Sequence, residues 1–224
     1  MTISLLFMGA IMGVVAWWLL KQSVGTSPWQ ADAHYAASED FSGRSLPQPD
    51  AKLVLIIFLV VVTSLFALFI SAYLMRMTMA SDWHPLPDPD LLWLNTAVLI
   101  LSSIALQWAQ VAAKREQVDR LRNGLLVGGF FAFVFIGGQL LAWQQLVDAG
   151  YYVHSNPANS FFYLITGLHA LHLLGGIVAW GVTTIKLMGG SEVACVRLSV
   201  ELCAIYWHFL LVVWLILFGL MLST

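Results

Sequence analysis

His169 and His172 lie three residues apart in FFYLITGLHALHLLGG (residues 161–176), where the only other polar side chains are Tyr163 and Thr166. Two imidazoles in such a run can ligate a metal, hold a haem, carry protons or hydrogen-bond neighbouring helices. At helical pitch a separation of three is about 300°, so both rings share one side. A second pair follows: Glu201 and His208 are seven residues apart, hence on one face but about 10.5 Å apart along the axis. They meet only through a partner or a water. Gln107, Gln139, Gln144 and Gln145 are further polar residues at interior positions.

Each chemistry has a ligand requirement. A metal site wants three or four closely spaced ligands. Three histidines on two segments approach that number, but no HExxH or Glu-x-x-His pattern accompanies them. A bis-histidine haem wants one His from each of two facing helices. His172 and His208 could serve, so a stand-alone membrane cytochrome stays open at this point. Interhelical hydrogen bonding asks least, because it is what His, Ser, Thr and Gln commonly do within a bundle. His172 falls near the middle of its segment, where a charged imidazole is expensive; it should be neutral and hydrogen-bonded. Cys195 and Cys203 form no CxxC and are read as small packing residues.

The elements that position these residues follow from composition. Of 224 residues, 60 % are hydrophobic and 10 % charged, against about 25 % charged in a soluble domain. The net charge of −2 and the lack of a long basic block give no footing for nucleic acid. Six apolar stretches, 3–20, 53–75, 91–112, 124–147, 160–185 and 199–222, approach the roughly 20 residues a bilayer-crossing helix needs. Only helices or closed barrels satisfy their backbone in lipid. The expected fold is therefore all-α: a polytopic membrane bundle of six transmembrane helices.

Orientation comes from the basic residues. Nine of the ten Lys and Arg fall in loops 21–52, 113–123 and 186–198, and the remaining one is Arg76. The positive-inside rule makes those loops cytoplasmic and puts both termini outside. The first stretch has no charge before Lys21 and no small-residue cleavage site, so it reads as a retained helix rather than a signal peptide. Its Gly9 and Gly13 form a GxxxG face. Residues 21–52 read as a polar linker, and WHPLPDPD (83–90) as an extended outer loop. Glu201 is placed in the first turn of the last helix, where the helix dipole favours a carboxylate. Lys186 and Arg197 flank a short cytoplasmic loop and could hold an anionic lipid headgroup. Few intramembrane charges and no proline inside a span argue against a secondary transporter, although six spans keep a small one open.

Four segments carry a family resemblance. NPANSFFYLITGLHALHLLGG (156–176) resembles a segment of subunit III of the haem–copper oxidases, and ELCAIYWHFLLVVWLILF (201–218) resembles that family's last helix. LWLNTAVLILSSIALQWA (92–109) and LFISAYLMR (68–76) are similar to two further helices, in the right order. The resemblance implies a chain with no metal centre of its own. It would pack on catalytic subunit I, and beside subunit II, in the inner membrane of a bacterial cell. There it would hold structural phospholipid and support proton uptake during oxygen reduction, with haem and copper in the partner subunits. The cytochrome c branch fits better than the quinol branch, from Glu201 and Tyr206-Trp207 ahead of His208; a nitric oxide reductase accessory subunit is a further option. It also implies a division into an extra helix over 1–20, a linker over 21–52 and a five-helix core over 53–224. The first helix is then an addition or a divergent remnant. His169, His172, Glu201, Tyr206, Trp207, His208 and Trp214 match family positions, none of them catalytic. Three positions depart from the pattern: Val62 and Leu211 stand where the family carries carboxylates, and Ala170 where it carries Gly.

Overall fold

A computed structural model describes residue 17 and residues 48–79, 90–190 and 192–223. Five helices lie in these segments: α1 (Gln48–Met79), α2 (Leu91–Lys114), α3 (Val118–Asp148), α4 (Pro157–Met188) and α5 (Val193–Leu222). All five are long and apolar enough to cross a membrane, and there is no strand among the described residues. The expected sixth span, 3–20, lies outside the described residues apart from Trp17, as do Gly9, Gly13 and most of the WHPLPDPD loop.

Each helix outruns its apolar stretch. Stretch 124–147 becomes Val118–Asp148, and stretch 199–222 becomes Val193–Leu222. Helices continue past the hydrocarbon into the headgroup region, where long basic side chains remain wet. Arg120 therefore sits on the first turn of α3 and Arg122 on its second, Lys186 on the last turn of α4 and Arg197 on the second turn of α5, rather than in loops. Helix α1 likewise begins inside the stretch read as linker. Glu201 lies two turns into α5, not in its first turn.

The chain divides into two compact units, Met1–Val60 and Val61–Thr224. The first contains the opening turns of α1. Within the second, α2 packs most extensively against α3, then α5; α4 joins α5 and α3. The connections are short. Gly150 and Gly190 take φ of +88° and +84° just past the ends of α3 and α4, a left-handed backbone that a Cβ would strain. Helix α4 starts at Pro157, whose missing N–H costs nothing in the first turn, and Asn156 Oδ1 accepts from Ala158 N at 3.1 Å.

Two devices hold the second unit together. The first is close approach on small residues. Gly124 and Gly128, four apart on α3, face α2; a Cβ on Gly124 would lie 2.9 Å from Ala109 Cβ and 3.0 Å from its Cα. The second is tryptophan. Lipid offers no partner for an indole N–H, so each one must find a protein acceptor. Trp207 and Trp214, two turns apart on α5, donate to Ser102 Oγ (3.0 Å) and Thr96 Oγ1 (2.9 Å) on α2. Trp143 of α3 donates to Thr166 Oγ1 (3.2 Å), and Trp180 of α4 to the Leu125 carbonyl (2.9 Å). Both helix pairs run antiparallel.

Candidate functional site

The residues singled out from the sequence gather at the α4–α5 contact and its neighbours. His169 is 1 % exposed and lies among aromatic rings. Its centroid is 5.2 Å from that of Trp214 on α5, 6.1 Å from Phe135 on α3 and 6.5 Å from Phe66 on α1. Neither ring nitrogen has a hydrogen-bond partner among the described residues. His172 sits one turn on, 5.5 Å from Phe66. Its Nδ1 donates to the Leu168 carbonyl of its own helix at 2.8 Å. Expecting both to bond across helices is thus corrected for His169, which rings enclose, and the bond given for His172 lies within α4.

His208 bonds across helices. Its Nε2 is 2.8 Å from Gln107 Oε1 and its Nδ1 2.5 Å from Ser103 Oγ, both on α2. A carboxamide oxygen only accepts, so Nε2 carries the hydrogen and Nδ1 accepts from the Ser103 hydroxyl. Both nitrogens of His208 are thereby engaged with α2. A haem held by His172 and His208 would have to break one of these bonds. Among the described residues no three His, Cys, Asp or Glu side chains gather as metal ligands.

The remaining positions pack. Tyr206 donates its hydroxyl to the His172 carbonyl at 2.8 Å, joining α5 to α4. Gly176 makes this possible: a Cβ there would lie 2.8 Å from the Tyr206 ring and 2.9 Å from that of Trp207. Its neighbour Gly175 has open space, so one glycine of the pair carries the contact. Trp207 and Trp214 are fully buried. Glu201 is half-buried. Val62, where the resemblance implies a carboxylate, is buried. Lys186 and Arg197 are exposed on the two helix ends beside the turn that joins α4 to α5. Cys203 is buried near Thr183 Oγ1 (3.7 Å), as a packing residue should be, whereas Cys195 is exposed.

Asn95, Thr96, Ser102 and Ser103 belong to this scaffold without standing out as candidates in the sequence. All four are buried. The signal was available: small polar residues at positions 95, 96, 102 and 103 of an apolar stretch recur at helical spacing.

The hydroxyl that meets an imidazole, Ser103 on His208 Nδ1, is buried between α2 and α5, and no ligand cage forms among the described residues. The arrangement offers a helix scaffold held by indole, hydroxyl and imidazole hydrogen bonds. Residues 9–223 match the family model described as cytochrome c oxidase subunit III. The chain is 33 % identical over 178 residues to cytochrome c oxidase subunit 3 of Thermostichus vulcanus, covering 77 % of this chain and 87 % of that one. It is 31 % identical over 155 residues to the probable cytochrome c oxidase subunit 3 of Nocardia farcinica, covering 68 % and 76 %. Against the Synechocystis cytochrome c oxidase subunit 3 it is 28 % identical over 176 residues, covering 76 % and 74 %.

Proposed function

This chain belongs to the cytochrome c oxidase subunit III family, and from that premise we propose that it serves as the non-catalytic subunit III of an aerobic cytochrome c oxidase. It packs on catalytic subunit I beside subunit II, which hold the haem and copper. It lies in the plasma membrane of a bacterial cell, holds structural phospholipid, and supports proton uptake and the stability of the complex. The observation that carries this reading is the family match over residues 9–223. The four family-like segments fall in chain order on four of the five helices, α1, α2, α4 and α5.

In this reading the chain crosses the membrane six times with both termini outside. Residues 1–20 form the first span, 21–52 the connection, and 53–224 the five-helix core. The family match begins at residue 9, inside the first span, which favours a divergent remnant over an unrelated addition. His169, His172, Glu201, Tyr206, Trp207, His208 and Trp214 act structurally. Lys186 and Arg197, exposed at adjacent helix ends, are placed to meet an anionic headgroup.

Purification of the intact complex from its native membrane tests the assignment. A haem–copper catalytic subunit should co-purify in stoichiometric amount, and its absence would overturn the reading. A Soret band from the isolated chain would point instead to a stand-alone cytochrome.

A further inference from the structure

One cross-section of the helix unit is more polar than any packing role explains. Contacts fix the level at which each helix contributes. Asn95 of α2 lies against Gly138 of α3, where a Cβ would fall 2.0 Å from Asn95 Oδ1; the next residue is Gln139. Trp143 of α3 bonds Thr166 of α4. These helices run antiparallel, so four residues back from Trp143, at Gln139, corresponds to four forward from Thr166, beside His169. His169 meets Phe135, one turn from Gln139, and Trp214, which donates to Thr96, the neighbour of Asn95. Asn95, Gln139 and His169 therefore share one layer, contributed by three helices.

All three are enclosed, at 2 %, 3 % and 1 % exposure. Five of their polar atoms have no hydrogen-bond partner among the described residues: Asn95 Nδ2, Gln139 Nε2 and Oε1, and both nitrogens of His169. Buried polar groups in folded proteins are nearly always satisfied, by protein or by ordered water. A single unsatisfied atom can be an exception. Five at one level, on side chains from three packed helices, describe a site.

We propose that this layer is an internal hydration site, in which water bridges Asn95, Gln139 and His169 and so links α2, α3 and α4. The donor set identifies the ligand class. Asn95 Nδ2 and Gln139 Nε2 donate, Gln139 Oε1 accepts, and a neutral imidazole supplies one donor and one acceptor. A cation would face N–H groups, and an anion would face lone pairs. A small neutral molecule that both donates and accepts fits, and an internal water typically takes about three such bonds. The apolar lining of Phe135, Trp214 and Phe66 leaves water no other partner nearby, which holds it at the polar atoms. The site explains why His169 makes no direct bond across helices: its link to α3 and α2 runs through solvent. It is internal to this chain and independent of the oxidase assignment.

Radiolytic footprinting of the intact complex tests it with water itself as the probe. Short X-ray pulses in ¹⁸O-water generate hydroxyl radicals in place, and a bound water labels the rings beside it. Trp207 is the internal control. It is as fully buried as Trp214 and likewise donates its N–H to α2, but it lies roughly 10 Å away along α5. Phe135 and Trp214 should incorporate label several-fold faster than Trp207. In the paired Gln139→Leu/His169→Phe chain that excess should vanish, while Trp207 stays unchanged. Labelling of Phe135 and Trp214 no faster than Trp207 in the native chain overturns the proposal without any variant. So does a high-resolution map of the complex with the Gln139 amide bonded directly to His169 and no density between them.

Discussion

Gly124→Ala probes a close backbone approach of α2 and α3. A Cβ at this position would lie 2.9 Å from Ala109 Cβ and 3.0 Å from Ala109 Cα and N. Ordinary van der Waals contact begins at 3.4 Å, so α2 and α3 must separate by at least 0.4 to 0.5 Å. No flexible side chain can absorb the change, because the neighbours are backbone atoms and a methyl group. The displacement also pulls on Ser102 Oγ–H···O=C Gly128, which bonds the same helix pair at 2.8 Å. Overpacking of this kind costs about 1–3 kcal/mol.

The matched control is Gly137→Ala on the same helix, where nothing lies within 4 Å of the added carbon. Both substitutions gain up to about 1 kcal/mol of helix propensity. That gain cancels in the difference, leaving about 1–3 kcal/mol attributable to the contact. The readout is thermal unfolding followed by a thiol-reactive dye in a Cys195→Ser background. Cys203 is 5 % exposed and labels only on unfolding. Gly124→Ala should unfold at distinctly lower temperature than Gly137→Ala, which should match or exceed the parent. Equal unfolding temperatures would refute the reasoning that α2 and α3 are held together by this glycine face.

A Cβ at Gly129 would sit 2.0 Å from Trp180 Cζ2, so Gly129→Ala should destabilise alone and be partly rescued by Trp180→Leu. A double-mutant cycle with a coupling near zero would contradict that contact. His208→Leu removes both bonds to α2 and should cost about 1–2 kcal/mol, at about 0.6 kcal/mol per interhelical bond in a membrane plus the unpaired Gln107 and Ser103; unaltered unfolding would show that the pair contributes nothing. Replacing Lys186 and Arg197 together with Gln should weaken retention of anionic phospholipid by about 2 kcal/mol, roughly thirtyfold. Unchanged lipid content of the purified complex would remove the headgroup role.

What the sequence made legible was what the bilayer dictates. Five of the expected stretches are helices because lipid permits little else, and apolar length alone reveals them. Their ends were not legible. Lys186, Arg197, Arg120 and Arg122 look like loop residues in a hydropathy profile, yet they lie on helices whose ends run past the apolar stretches. Glu201 was misplaced for the same reason: six residues from Val193 to Leu198 extend α5 ahead of the apolar stretch. The close-packing glycines were legible in principle. The same small-xxx-small rule that drew notice to Gly9 and Gly13 also marks Gly124 and Gly128, and only the partner helix reveals that Ala109 lies against them.

The histidines show where sequence reasoning reaches its limit. Type and spacing place His169 and His172 on one side of α4, and that holds, since Phe66 meets both rings. Whether an imidazole bonds across to a neighbour depends on what the neighbouring helices present at its level. At the level of His208, α2 presents Ser103 and Gln107, and direct bonds form. At the level of His169, α5 and α3 present Trp214 and Phe135. The Trp214 indole N–H is already given to Thr96, and a phenyl ring has none to give. An imidazole facing two such rings can satisfy its nitrogens only through the amides of Gln139 and Asn95 or through water. The register of three helices, not the motif that contains the histidine, therefore decides its chemistry.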